Sequence, residues 1–325
     1  MRGKKKAGDI ALEPVCRVVR FGATDGIELA GLLYEPERQT DHAAMFLHGT
    51  GGASVFEARR TNLLAAELLA GGIAFFPFNN RGAHLLRRLR FTESHVRAEE
   101  RRGQKPAPRQ GGMAHEVIRE CVHDIDGAMR ELRRRGYRRI DLIGHSTGAN
   151  KIAVYDHYKP RNQAGRYVLL AGGDDTGLLY SQLGARRFSS ALLRARTMIR
   201  ARRGDELVPR SLSSLPMSWR SFYDMANPDG DYNVFPFLEA MQSLQLSRRP
   251  RFRFLRAMRK PVLLLYGEND EYCHGDVSRS VAALAEAVGA KTNVEIAIMS
   301  AADHGFSGRE RDLGRLLVSW LSDDD

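Results

Sequence analysis

Arg139-Ile140-Asp141-Leu142-Ile143-Gly144-His145-Ser146-Thr147-Gly148-Ala149-Asn150 is the stretch that decides the fold. Ile140, Leu142 and Ile143 form a short apolar run, and a helix-compatible stretch begins directly after Ser146. A strand that turns so sharply into a helix forces its corner residue into a strained backbone conformation, and glycines two positions to either side leave room for it. Gly144 and Gly148 occupy those positions, so Ser146 should project into solvent at the top of a sheet. The pattern alone recurs by chance, and the strand before it and helix after it give it weight. A buried turn serine in a nucleotide-binding strand-turn-helix is the plain rival.

A serine hydroxyl is a weak nucleophile at neutral pH and needs a base, an acid that orients the base, and donors for the oxyanion. On a turn of this kind the chain order is nucleophile, acid, histidine. Downstream, Pro261-Val262-Leu263-Leu264-Leu265-Tyr266-Gly267 reads as a buried strand, and Asp270 stands three residues past its closing glycine. Glu268, Glu271, Asp174 and Asp175 compete for the role of acid, and spacing favours Asp270. Val294-Glu295-Ile296-Ala297-Ile298-Met299 is another strand candidate, followed by Ala302-Asp303-His304-Gly305-Phe306. His304 follows the final strand and precedes a closing helix, which separates it from the other histidines. His145, beside the serine, points the wrong way from an elbow and is read as structural.

The oxyanion donors are expected from the backbone N–H of Thr147 and from a loop after the third strand. Ala43-Ala44-Met45-Phe46-Leu47 is that strand, and His48-Gly49-Thr50-Gly51-Gly52 is the loop. Its glycines let the backbone approach a ligand, and Thr50 is the second donor. A phosphate loop is the rival reading, but the lysine and Ser/Thr of a P-loop are missing.

Strand candidates at 15–22, 27–35, 43–48, 73–79, 139–144, 166–171, 261–266 and 293–299 alternate in the later part with helical patterns at 56–71, 115–135, 147–158, 275–288 and 309–322. The clearest helix has Ile118, Cys121, Val122, Ile125, Met129 and Leu132 on one face. This order predicts an α/β fold: a mostly parallel twisted sheet of about eight strands covered on both faces. Residues 15–173 and 259–325 form the core, 174–258 an inserted helical cap, and 1–14 a basic N-terminal tail. A segment at about 83–112, rich in Arg, Gly, Gln and Pro, is expected to be a mobile loop. Most cap aromatics should fill the cap's own core; Trp219, Phe222 and Tyr223 are the candidates for the substrate pocket.

The segments Phe46-Leu47-His48-Gly49, Phe78-Asn79-Asn80-Arg81-Gly82, Leu142-Ile143-Gly144-His145-Ser146-Thr147-Gly148, Asn269-Asp270-Glu271-Tyr272 and Ala302-Asp303-His304, with the Asp124-Ile125 helix, carry a resemblance. They are similar to the α/β-hydrolases, and within them to the group of fungal siderophore (fusarinine) esterases and their bacterial relatives. The likeness covers residues of about 40–175 and 260–322 and leaves out the cap. It implies a serine esterase using Ser146, Asp270 and His304. It does not imply the siderophore substrate, which the cap decides.

No run approaches the about 18 apolar residues that a membrane helix needs. Three widely spaced cysteines, Cys16, Cys121 and Cys273, show no metal-like pairing, and a reduced cytoplasmic setting is the economical reading. The net charge of +11 raises nucleic-acid binding, since Arg251-Phe252-Arg253-Phe254 interleaves aromatics with cations, but no recognition motif accompanies it. Arginines of 194–203 and 248–259 suggest an anionic ester as one candidate substrate. The expectation is therefore a serine carboxylic-ester hydrolase acting on a small-molecule ester, with no cofactor and no metal. An amidase, peptidase or thioesterase with the same triad is the alternative within enzymes; a catalytically silent binding protein is the one outside them.

Overall fold

The computed structural model describes residues 14–51, 53–56 and 59–323, so most of the expected basic tail, residues 1–13, lies outside the described residues. The first half runs β1 (Cys16–Gly22), β2 (Glu28–Tyr34), β3 (His42–Leu47), α1 (Arg59–Ala70), β4 (Ala74–Asn79), β5 (Arg87–Leu89), α2 (Glu93–Glu100), β6 (Arg109–Gly111), α3 (Cys121–Arg134) and β7 (Arg139–His145). Then come α4 (Thr147–Tyr158), β8 (Tyr167–Leu170), α5 (Asp175–Leu183), α6 (Ala185–Arg200), α7 (Trp219–Ala226), α8 (Phe237–Met241) and α9 (Arg253–Ala257). The chain closes with β9 (Val262–Gly267), α10 (Val277–Val288), β10 (Val294–Met299) and α11 (Glu310–Ser322).

Eight strands form one sheet in the order β1-β2-β4-β3-β7-β8-β9-β10. The hairpin β1–β2 is antiparallel, β2 meets β4 antiparallel, and every later pairing is parallel. The eight sheet strands correspond to the eight expected from sequence. The inner strands β4 and β9 are buried at every residue, as strands covered on both faces must be. At the edges, β1 and β10 expose alternate or successive residues. On one face α1 and α11 bury Leu64, Leu68, Leu313 and Leu317 against Phe46, Phe75 and Leu263. On the other, Ile125, Met129 and Ile152 pack against Met45, Leu142 and Leu264.

The insertion between β8 and β9 holds α5 to α9, and its Phe188, Trp219, Phe222, Phe235 and Phe237 join the second apolar layer. Asp174 fastens it: Oδ1 accepts from Gly177 N–H at 2.8 Å, capping α5, while Oδ2 accepts from Leu238 N–H at 2.8 Å. The segment at 83–112 departs from the expected loop, since it folds as an antiparallel hairpin of β5 and β6 enclosing α2. Thr92 caps that helix by accepting from His95 N–H, yet no residue of α2 is buried. Ahead of the hairpin, Arg81 binds Asp124 at 2.6 Å, Glu120 at 2.9 Å and Asp25 at 3.0 Å, tying the loop after β4 to α3.

Candidate active site

The site grows from the end of β7. Ser146 adopts φ 56° and ψ −128°, a strained conformation for a residue with a Cβ. Its N–H donates to Leu170 O of the neighbouring strand at 2.8 Å, and its carbonyl accepts from Ala149 N–H at 2.8 Å. The flanking glycines are sterically required. A Cβ on Gly144 would lie 2.3 Å from Gly148 O, and one on Gly148 would lie 2.1 Å from Leu47 O. Thr147 opens α4, so its backbone N–H has no acceptor within the helix and is free to face an incoming anion.

The loop after β3 runs beside the serine, for a Cβ on Gly49 would stand 2.9 Å from Ser146 Cβ and 3.3 Å from Oγ. His48 anchors this loop from below. Its Nδ1 donates to Gly49 O at 2.7 Å and its Nε2 accepts from Asn80 N–H at 3.3 Å. Those two bonds require a neutral ring, and burial, helped by the charge of Lys151, pushes the His48 pKa down to about 3. Thr50 follows, half-buried, with an Oγ1 that has no hydrogen-bond partner among the described residues.

Asp270 and His304 meet on the loops after β9 and β10. His304 Nδ1 lies 2.9 Å from Asp270 Oδ1 and 3.1 Å from Oδ2. The carboxylate is buried and is oriented by Tyr272 N–H, which donates to Oδ1 at 2.9 Å. The Tyr272 ring lies 4.5 Å from the imidazole. Of the rival acids, Glu271 accepts from His304 N–H at 3.2 Å, Glu268 accepts from Ala301 N–H at 2.7 Å, and Asp174 is occupied by the α5 cap.

His145 and Arg60 hold the histidine loop against the elbow. His145 Nε2 donates to His304 O at 2.7 Å, so its Nδ1 is left to accept from Arg60 Nη2 at 3.3 Å. Arg60 Nη1 donates to Gly305 O at 2.7 Å. Burial first, then the Arg60 charge, drives the His145 pKa well below the ordinary value, which keeps the ring neutral for this bridging task. The structural role expected of His145 is thus a defined one. Arg60, on a helix whose sequence shows only a basic start, could not be tied to the site without the fold.

Trp219 and Phe222 are buried in the insertion, in an edge-to-face pair at 6.4 Å, with Arg194 over the indole at 5.1 Å. Tyr223 is half-buried against the same apolar layer. Among the described residues no hydrogen bond or ring contact joins these three to Ser146, Asp270 or His304. Between β8 and β9 an aromatic that reaches the site is Tyr232, whose hydroxyl faces Thr147 and Asp175. Cys273 is buried and its thiol pKa is pushed up by that burial and by Asp270, which suppresses the thiolate. Among the described residues no group of three or more His, Cys, Asp or Glu side chains could hold a metal ion, and no helix is long and apolar enough to cross a membrane.

A mostly parallel sheet of this strand order, with a serine elbow after its central strand and an Asp–His pair on the loops beyond, defines the α/β-hydrolase architecture. The chain belongs to the alpha/beta hydrolase family, whose profile matches residues 44–312. No curated protein matches the chain. Among solved structures it is similar to Est1E of Butyrivibrio proteoclasticus with ferulic acid bound, with a TM-score of 0.61, 12% identity, and coverage of 93% of this chain and 98% of that one. It is also similar to an esterase of Pyrococcus furiosus (TM-score 0.54, 14% identity, 99% and 93% covered). The esterase domain of a Rhodothermus marinus protein gives a TM-score of 0.53 at 16% identity, with 94% and 97% covered. At these identities the likeness establishes the fold.

Proposed function

We propose that this hydrolase is a serine carboxylic-ester hydrolase. The observation that carries the reading is the Asp270–His304 pair, its loop clamped to the elbow by His145, the residue before Ser146. His304 Nε2 takes the proton of Ser146 as Oγ attacks the ester carbonyl, and the N–H groups of Thr50 and Thr147 receive the oxyanion. Asp270 holds the proton on Nδ1 and favours the imidazolium. The tetrahedral intermediate expels the alcohol, protonated by His304, and leaves an acyl-Ser146. Water activated by the same histidine then releases the acid.

The esterase names of the structural neighbours support an ester in preference to an amide. Residues 174–258 serve as the cap that shapes the pocket, and the narrower likeness to siderophore esterases rests on the core motifs alone. Three free cysteines, two of them buried, support a reduced, cytoplasmic setting. The test is hydrolysis of p-nitrophenyl acetate. Ser146→Ala should keep the thermal midpoint and lose about a thousandfold or more in turnover; substantial turnover in that variant would overturn the reading.

A further inference from the structure

The chain carries a net charge of +11, yet three carboxylates, Asp174, Asp175 and Asp270, stand around the elbow and His304. Lys151 of α4, the cation beneath the site, is fully buried and neutralised by Glu116 at 2.6 Å, with Asn80 Oδ1 at 3.2 Å. Arg194, Arg196 and Arg200 of α6 are exposed on the surface. Asp270 is paired with His304. Asp174 is consumed by Gly177 N–H, Leu238 N–H and His274 Nε2 at 3.0 Å.

Asp175 is different. It begins α5, remains half-buried, and forms no ion pair with a cation among the described residues. Its Oδ2 lies 3.5 Å from Oγ1 of Thr147, the residue whose backbone N–H faces the developing oxyanion. A carboxylate one side chain away from the reacting carbonyl, held only by a long contact from the Thr147 hydroxyl and neutralised by no ion pair among the described residues, is a ready acceptor for a positive group on the substrate. An anionic ester would meet repulsion at the same place.

Resting on the serine-esterase reading, we propose that Asp175 is a specificity-determining residue that selects esters bearing an ammonium group a few bonds from the scissile carbonyl. Such a group would supply the cation that the fold withholds. The groups facing the carboxyl are Asp174 on its own turn, His304 from the loop after β10, Thr147 and Lys151 from α4, and Tyr232 from the segment before α8. Burial and the neighbouring Asp174 raise its pKa to about 6, so the selection strengthens as the pH rises through that value.

The experiment compares kcat/KM for ethyl β-alaninate, for its uncharged isostere ethyl butyrate, and for ethyl hydrogen succinate. Ionisations of the free enzyme common to the esters cancel in the ratios, so His304 does not mask the effect. The wild-type enzyme should prefer the cationic ester over the neutral one by about tenfold or more near neutral pH, and the preference should collapse below about pH 6. Asp175→Asn should reduce it to near unity at every pH, and Asp175→Glu should restore part of it. If Asp175→Asn does not fold, the pH series on the wild-type enzyme decides alone. Turnover of the esters with a cationic preference that is absent, or unchanged in Asp175→Asn, overturns the role of Asp175 and leaves the esterase standing. Failure to turn over any ester, with no phosphonate adduct on Ser146, overturns both.

Discussion

Asp270→Asn removes a charge and almost nothing else, which makes its effect calculable from the hydrogen bonds around it. Tyr272 N–H donates to Oδ1 at 2.9 Å, and His304 Nδ1 lies within 3.1 Å of both oxygens. In the variant, Tyr272 N–H continues to select an oxygen at the Oδ1 position, so the new NH2 takes the place of Oδ2. There it confronts the N–H on Nδ1. The imidazole relieves the clash by moving its proton to Nε2, the nitrogen that must be bare to accept the serine proton. A triad locked in the wrong tautomer loses about ten-thousandfold in turnover. If Oδ1 instead keeps Nδ1–H, only the charge-assisted part of the bond disappears, about 1.5–3 kcal/mol. That corresponds to about ten- to a hundredfold at about 1.4 kcal/mol per decade.

Tyr272 favours the first orientation without abolishing the second, so the expected loss in kcat/KM for p-nitrophenyl acetate lies between the two figures, on the order of a thousandfold and bounded by about ten-thousandfold. The thermal midpoint should hold, since the Tyr272 bond survives. A variant within about threefold of wild type would refute the reasoning. So would a larger loss in Asp174→Asn or Asp175→Asn than in Asp270→Asn.

Two further outcomes concern stability. Lys151→Met strands the Glu116 carboxylate in the interior and should cost about 3–5 kcal/mol in urea unfolding, with Glu116→Gln added on top recovering part of it. His48 has a native pKa of about 3 against an ordinary 6.5, so the unfolded chain binds the extra proton between those values. Its contribution is therefore present above pH 6.5 and is lost as the pH falls. Between pH of about 7 and about 4.5 the wild-type protein should lose about 2.5 kcal/mol more than His48→Gln, and equal losses would exclude His48 as the acid-sensitive group.

The sheet was legible because its inner strands are apolar runs of the right length and its edge strands β1 and β10 are short β-branched stretches broken by charged residues, and the elbow because a serine between Gly144 and Gly148 after such a run has few other uses. The hairpin of β5 and β6 was not. Its strands are three residues each and arginine-bearing, and α2 buries no side chain, so neither leaves a periodic apolar signal. Nothing in the sequence singles out Lys151, and only the fold shows Glu116 reaching it from a segment between helical turns. Asp175 was visible as one rival for the acid. What the sequence could not show is that Asp174 is spent on a helix cap while Asp175, next to it, turns toward Thr147. The choice of Trp219, Phe222 and Tyr223 followed composition, whereas the site is approached by Tyr232, which composition does not distinguish from them.

The central claim is that Ser146 is a nucleophile activated by His304. An alkyl p-nitrophenyl phosphonate, with the adduct located by peptide mass spectrometry, tests it without assuming any natural substrate. One adduct per chain is expected, on Ser146, absent in Ser146→Ala and formed far more slowly in His304→Ala. An adduct on another serine or on Cys273, or labelling of Ser146 at the same rate without His304, would contradict it.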